Sequence, residues 1–415
     1  MRRARPILTD VALAAGSLVV CLLLVEAGAR GAVEWGIARS RRQAGALPIS
    51  RYHPVLGWDK TPGAEQWVHR KEFEVLLRFN SRGLRGPERD YAKPPGTRRV
   101  LILGDSFAEG YYANEDETAR AVLEGLLNRE GCGPYEVLNG GTIAYSTDQE
   151  YLFYRTEGQR YGADLVVLFF YYNDLYYNAS ENGPGGEPKP YFLVKDGALA
   201  LGNVPVPLVS RGLLNRQNPG VSRPQPWHGS MALRLLSNRT VDASPGLHRV
   251  LSHLGLVEPI PSDPPREFWP FGPGHPTEVR EAWALTSAIL AALRKEVEAH
   301  GARLVLFYVP MRAEVNDPVW ELTRQRYRLG RRWDRYVVFD RLKSVCEALD
   351  IPLVDPREDL RRTEAKGPPA YYTRDVHWTA TGNAVAAHVL EPPVRALLPC
   401  PTPAVGDSRN PLRPR

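Results

Sequence analysis

The stretch Val100-Leu101-Ile102-Leu103-Gly104-Asp105-Ser106-Phe107 is an apolar run that stops abruptly at a small polar triplet carrying a hydroxyl. A parallel strand covered on both faces reads as a near-continuous apolar run, and open α/β sheets gather their ligands just beyond the carboxyl ends of such strands. Ser106 is therefore placed as a candidate nucleophile. Gly-Asp-Ser also suits an ordinary strand-to-helix turn, since all three residues favour turns and caps, so the triplet alone leaves both readings open.

Working outward, the same kind of run recurs. Arg99 to Leu103, Tyr135 to Leu138, Asp164 to Phe170, Arg303 to Val309 and Ile351 to Val354 read as strands. Helical patterns lie at Glu117 to Asn128, Asp148 to Gln159, Thr277 to His300, Tyr336 to Leu349 and Thr379 to Leu390. Apolar strands alternating with helices predict an α/β fold, with a five-stranded parallel sheet covered on both faces. Residues 31–97, rich in Gly, Pro and Arg, are expected to form an irregular extension wrapped on the domain that begins near residue 98 and runs to about 400. Between about 180 and 276 the alternation stops, which marks an insertion rather than an ordinary loop: a lid, a substrate subdomain or an inert excursion. Residues 401–415 read as a disordered tail.

Composition narrows the function. At 415 residues and 43% hydrophobic content the chain can bury a substantial core. Its 53 basic and 47 acidic residues are intermixed, for a net charge of +6, which argues against a nucleic-acid partner. The basic-aromatic cluster at Arg324, Arg326, Tyr327, Arg328, Arg331, Arg332, Trp333 and Arg335 reads as a solvated helix face.

Residues 1–30 hold Arg2, Arg3 and Arg5 followed by an apolar run from Val11 to Val25, the pattern of a signal anchor or a signal peptide. Ala27-Gly28-Ala29 lies where a cleavage site would fall, and Ile7 and Leu8 lengthen the run toward the ~18 residues of a spanning helix. Retention as a membrane anchor, with the remainder on the extracytoplasmic (periplasmic) side, is the expectation; cleavage would make the protein secreted. Four cysteines without Cys-x-x-Cys or a Cys/His ligand spacing indicate no metal site. In an exported chain Cys132 and Cys400 could pair, whereas Cys346 reads as a core thiol.

Polar motifs follow three successive strands: Gly104-Asp105-Ser106, Asn139-Gly140-Gly141 and Tyr171-Tyr172-Asn173-Asp174; a fourth, Asp375-Val376-His377-Trp378, precedes the last helix. Together they supply the parts of acyl transfer. A serine hydroxyl needs a base to take its proton, and the His377 imidazole suits that role at neutral pH. Asp375 could fix its tautomer and stabilise the imidazolium. Backbone N–H groups of Ser106 and Gly141, with the Asn173 amide, are the candidate oxyanion donors. Tyr-Tyr pairs at 111–112, 171–172, 176–177 and 371–372 lie near these motifs, suited to sugar faces or acyl chains, or simply to packing at a sheet edge.

With these four motifs in order, the chain resembles the SGNH, or GDSL-type, hydrolases. The resemblance runs from about Arg98 to the final helix and implies a three-layer α/β/α sandwich of flavodoxin-like type. It assigns the nucleophile to Ser106, the oxyanion residues to Gly141 and Asn173 and the base to His377, with no cofactor. Two departures stand out. Tyr171 occupies the place where the third motif usually begins with glycine, and Asp375-x-His377 replaces the common Asp-x-x-His. The shorter spacing, with Trp378 following, is similar to the branch of alginate and related polysaccharide O-acetyltransferases. The resemblance implies an extracytoplasmic serine esterase acting on acyl, chiefly acetyl, esters of a cell-envelope carbohydrate. Two alternatives stand beside it: an O-acyltransferase using the same acyl-enzyme, and an envelope scaffold with a decayed hydrolase fold.

Overall fold

The structure, a computed structural model, describes residues 4–42, 49–129, 134–208, 230, 232, 245–254, 256 and 264–399. The chain divides into two compact units. The smaller comprises residues 1–44, 211–264 and 324–329, and the larger the remainder. In the smaller unit, helix α1 (Ala4–Arg42) contains at Leu13–Ala32 a 20-residue stretch long and apolar enough to cross a membrane. The helix runs unbroken through Ala27-Gly28-Ala29, with Glu26 bonded to Arg30 one turn on (2.7 Å).

The larger unit opens with two antiparallel hairpins, β1 (Ser50–His53) with β2 (Gly57–Lys60) and β3 (Glu65–His69) with β4 (Glu74–Arg78). The expectation of an irregular extension is corrected here. Ser-Arg-Tyr-His and Glu-Gln-Trp-Val-His are short and polar at most positions, so no apolar alternation announces them as strands.

The main sheet uses β5 (Arg98–Leu103), β6 (Tyr135–Asn139), β7 (Leu165–Tyr171), β10 (Arg303–Val309) and β11 (Leu353–Val354), all parallel, in spatial order β11-β10-β7-β5-β6. The remaining strands, β8 (Tyr191–Lys195) and β9 (Ala198–Gly202), form a hairpin in the insertion. Their turn, Asp196-Gly197, has φ of 49° and 78°, the two left-handed residues a tight hairpin of this twist requires. Every residue of β7 is buried, because the sheet is covered on both sides.

The helices after α1 are α2 (Ser106–Glu109), α3 (Ala119–Leu127), α4 (Thr147–Thr156), α5 (Asp174–Asn178), α6 (Pro245–His253, in the smaller unit), α7 (Pro276–Ala299), α8 (Arg312–Val315), α9 (Asp317–Tyr327), α10 (Val337–Ala348), α11 (Arg357–Lys366) and α12 (Ala380–Leu397). The pair α3 and α12 pack together, as do α4, α5 and α7, giving the helical layers that flank the sheet. This is the expected three-layer sandwich. The chain winds from β5 out to β6 and then back past β5 to β7, so the direction of winding reverses between β5 and β7. Doubly wound sheets place their ligands at that crevice. The loops after β5 and β7 are those that carry Ser106 and Asn173.

Four further expectations meet the structure in different ways. Cys346 is a buried free thiol, as read from its pattern. The Cys132–Cys400 pair and the 401–415 tail lie outside the described residues. Of the basic-aromatic cluster, only its first residues are helical, at the end of α9.

Candidate active site

Strand β5 delivers its polar triplet through a glycine that no other residue could replace. Gly104 has φ of +148°, and a Cβ there would stand 2.6 Å from Ala108 Cβ and 2.8 Å from Phe169 Cβ. Asp105 then caps α2, its Oδ1 accepting the Phe107 N–H at 2.8 Å. Ser106 is the first residue of α2, so its own N–H is a first-turn donor with no acceptor within the helix. The helix is four residues long and stops at Gly110, whose φ of 68° is left-handed. Buried Arg85 fixes the chain beyond it, donating to the carbonyls of Glu109, Gly110 and Ala113.

His377 comes from the other end of the sequence on a loop closed by backbone pairing. Thr379 N–H bonds Ala370 C=O (2.9 Å) and Tyr372 N–H bonds His377 C=O (3.0 Å), while the Thr379 hydroxyl caps α12. Trp378 is buried and edges onto Phe107, which anchors the loop to α2. The imidazole lies between two rings: Tyr112 stacks on it at 3.8 Å between centroids, and Phe107 approaches at 4.6 Å.

Three of the sequence-derived residues meet in one chain of hydrogen bonds. Ser106 Oγ is 2.6 Å from His377 Nε2, and His377 Nδ1 is 2.5 Å from Asp375 Oδ1, which also accepts the His377 backbone N–H at 3.1 Å. With Nδ1–H donated to the carboxylate, Nε2 is left to accept the serine proton. Burial pushes the Asp375 pKa up, but the hydrogen bonds and charge of His377 outweigh it and hold the group below the ordinary carboxylate range. The Asp375-x-His377 spacing thus lets the carboxylate reach the ring nitrogen of the residue two positions on.

The oxyanion candidates divide. Asn173 stands at the start of α5, with its Oδ1 buried and without a hydrogen-bond partner. The Gly141 N–H, the other expected donor, is paired within its own loop, donating to Asn139 Oδ1 at 3.0 Å. Gly141 is also needed for packing, because a Cβ there would lie 2.3 Å from Glu109 N and 2.7 Å from Ala108 C. The loop that carries it presses directly on the nucleophile helix.

Sequence reasoning missed what holds that loop. Lys60 of β2, fully buried, donates to Gly141 C=O (3.0 Å) and to the Thr142 hydroxyl, and Trp58 Nε1 donates to Ile143 C=O (3.0 Å). Glu109 of α2 accepts the Ile143 N–H at 2.5 Å. Desolvation lowers the Lys60 pKa and raises that of Glu109, and their opposite charges partly offset both shifts. Nothing in the local sequence of a short polar strand marks such a lysine. Burial likewise pushes Asp105 up to about 6 and Glu150 and Asp174 well above the carboxylate range.

The tyrosine pairs prove mixed. Tyr171 and Tyr371 are core residues, Tyr171 against Phe107 and Tyr371 donating to Pro310 C=O. Tyr171 thus fills with a ring the place where glycine is usual. Tyr112 and Tyr372 stand at the site itself, joined by a bond from Tyr372 Oη to Tyr112 C=O (2.8 Å).

With a five-stranded parallel sheet of this order, a serine after its first strand and a histidine before its last helix, the chain is similar to SGNH hydrolase-like domains. More particularly, residues 275–403 match the family model described as "SGNH hydrolase-like domain, acetyltransferase AlgX". The matched segment contains β10, β11, α12 and the loop bearing Asp375 and His377. Comparison with curated protein sequences gave no match. Among solved structures, TesA is 12% identical (TM-score 0.37), with 72% of this chain and 99% of that chain covered. A lipase/acylhydrolase from Enterococcus faecalis is 10% identical (TM-score 0.36), covering 72% and 96%. An acetylxylan esterase from Geobacillus stearothermophilus, a catalytic mutant, is 14% identical (TM-score 0.35), covering 72% and 94%.

Proposed function

We propose that this protein is a serine acyltransferase of the extracytoplasmic face, which takes an acyl group, chiefly acetyl, onto Ser106 and passes it to a carbohydrate hydroxyl. The observation that carries acyl transfer is the Ser106–His377–Asp375 hydrogen-bond chain. Acetyl transfer is supported by the acetyltransferase family model, whose match includes the His377 loop, and the carbohydrate acceptor by the resemblance of Asp375-x-His377-Trp378 to polysaccharide O-acetyltransferases.

In this reading His377 Nε2 accepts the Ser106 proton as Oγ attacks the ester carbonyl. The carbonyl electron pair moves to oxygen, where the Ser106 N–H and the Asn173 amide donate to it. Collapse of the tetrahedral intermediate breaks the ester C–O bond, and the departing alcohol takes the proton from the imidazolium, which Asp375 stabilises meanwhile. A sugar hydroxyl then repeats the sequence in reverse: His377 removes its proton, its oxygen attacks the acyl-serine, and Ser106 leaves with that proton. A small cavity of about 10 Å³ lies against Ser106, Tyr112, His377 and Trp378. The Leu13–Ala32 stretch supports attachment to a membrane.

Hydrolysis is the second reading, since water can serve as acceptor for the same acyl-enzyme. The discriminating experiment incubates the protein with an aryl acetate and candidate oligosaccharides and follows both products by mass spectrometry. Acetylated sugar that depends on Ser106 supports transfer; free acetate alone, over a full panel of acceptors, overturns it in favour of the esterase.

A further inference from the structure

We infer that the β3–β4 hairpin is part of the catalytic apparatus, with Glu72 the positioning residue that sets the loop carrying Asp375 and His377. The inference rests on the acyl-serine reading above. Glu72 lies in the hairpin turn, Arg70 to Phe73, closed by a bond from Arg70 N–H to Phe73 C=O (2.9 Å). From there its two carboxylate oxygens accept two consecutive backbone N–H groups, Thr373 at 2.8 Å and Arg374 at 2.9 Å. These are the two residues immediately before Asp375.

Its neighbour Phe73 makes the second attachment. The Phe73 ring packs on Tyr112 (5.1 Å between centroids) and on Tyr372 (5.0 Å). Tyr112 is the ring stacked on His377, and Tyr372 bonds both the Tyr112 carbonyl through its hydroxyl and the His377 carbonyl through its N–H. Two adjacent residues of one turn thus hold the acid-base loop from both sides, one through its backbone before Asp375 and one through the ring covering the imidazole.

A carboxylate accepting two backbone N–H groups is a charge-assisted, bidentate arrangement, which fixes direction as well as distance. Without it the segment 373–376 has lost its anchor on the hairpin, while the backbone bonds at Tyr372 and Thr379 persist. The consequence falls on where Asp375 Oδ1 sits relative to His377 Nδ1, because Asp375 follows the anchored pair directly. Folding does not depend on this contact to the same degree: Glu72 is half-buried at a turn, and β3 and β4 keep their own ladder and the Val68–Val75–Leu77 cluster beneath it.

The test compares wild type with Glu72→Ala, Glu72→Gln and Ser106→Ala, using the rate of serine labelling by a fluorophosphonate probe and turnover of an aryl acetate. Glu72→Ala should slow labelling and lower kcat by about tenfold or more, since misplacement of about 1 Å can cost about a hundredfold. KM should stay unchanged, and hydrogen exchange at the Thr373 and Arg374 amides should quicken. Glu72→Gln, which keeps one acceptor oxygen, should recover part of the rate. Equal labelling of Glu72→Ala and wild type overturns the inference, as does a loss that appears in KM alone. Labelling of Ser106→Ala at the wild-type rate, or none of wild type, overturns the acyl-serine reading itself and the inference with it.

Discussion

Asp375→Asn is the substitution whose outcome is best bounded by geometry. The same oxygen, Oδ1, accepts from His377 Nδ1 at 2.5 Å and from its backbone N–H at 3.1 Å. An asparagine amide oxygen can occupy that position and keep both bonds, so the variant removes charge while leaving orientation in place. What disappears is the attraction between carboxylate and the imidazolium that forms as Ser106 attacks. With charge centres ~4 Å apart, an effective dielectric constant of ~20 gives about 4 kcal/mol, equivalent to roughly a thousandfold in rate. The Asp375 side chain is 31% exposed, and solvent screening trims the expectation to about 10²- to 10³-fold. Asp375→Ala removes orientation as well and should be slower still. The assay is kcat for aryl acetate cleavage, with thermal unfolding to confirm the fold. An Asp375→Asn variant within threefold of wild type refutes the reasoning and reduces the aspartate to a loop residue.

Asp105→Asn should stabilise the protein at neutral pH. Burial raises the Asp105 pKa to about 6 from an ordinary value of 3.8, so the folded state binds its proton more tightly than the unfolded chain. The cost of that buried charge is absent below the unfolded pKa, grows as pH rises toward 6, and reaches about 3 kcal/mol above it. Chemical denaturation should therefore show Asp105→Asn more stable by about 2 to 3 kcal/mol at pH 7 and the difference gone near pH 4, because asparagine keeps the acceptor for Phe107 N–H. A difference independent of pH contradicts this. Gly141→Ala puts a methyl group against Ala108 and Glu109 of the nucleophile helix. The expected loss is about 1 to 3 kcal/mol of stability together with most of the serine labelling, whereas an active, fully stable variant shows that the loop yields freely.

Four of the core strands were legible because they are buried on both faces, which turns position in the sheet into an unbroken apolar word, whereas edge strand β11 is half-buried and covers only Leu353–Val354 of the expected Ile351–Val354. Arg303–Val309 was bounded to the residue for that reason, and β7, apolar on both faces, shifted by only one. The hairpins before β5 were not legible, since β1 and β3 are four and five residues long with polar side chains on most positions, and the short apolar run of β4 has no readable partner beside it. Of the site, Ser106, His377 and Asp375 could be read because their chemistry is stated by residue type and by place after a strand or before a helix. The surroundings of Gly141 were not legible for a physical reason: a backbone N–H has no sequence signature, and here it faces the side chain of Asn139, two residues earlier. The supporting shell was hidden for a different one. Glu72 and Arg374 are separated by 302 positions, and Lys60 reaches Gly141 across 81, so their pairing exists only once the sheet has brought the termini of the domain together.

The central claim is that Ser106 becomes covalently acylated with His377 as its base, and intact-protein mass spectrometry tests it directly. Protein mixed with an aryl acetate and quenched in acid within the first turnovers should carry a single acetyl increment, located on the peptide containing Ser106. Ser106→Ala and His377→Ala should show none. An increment of equal size on Ser106→Ala, or its absence from wild type while the ester is being consumed, would contradict the account.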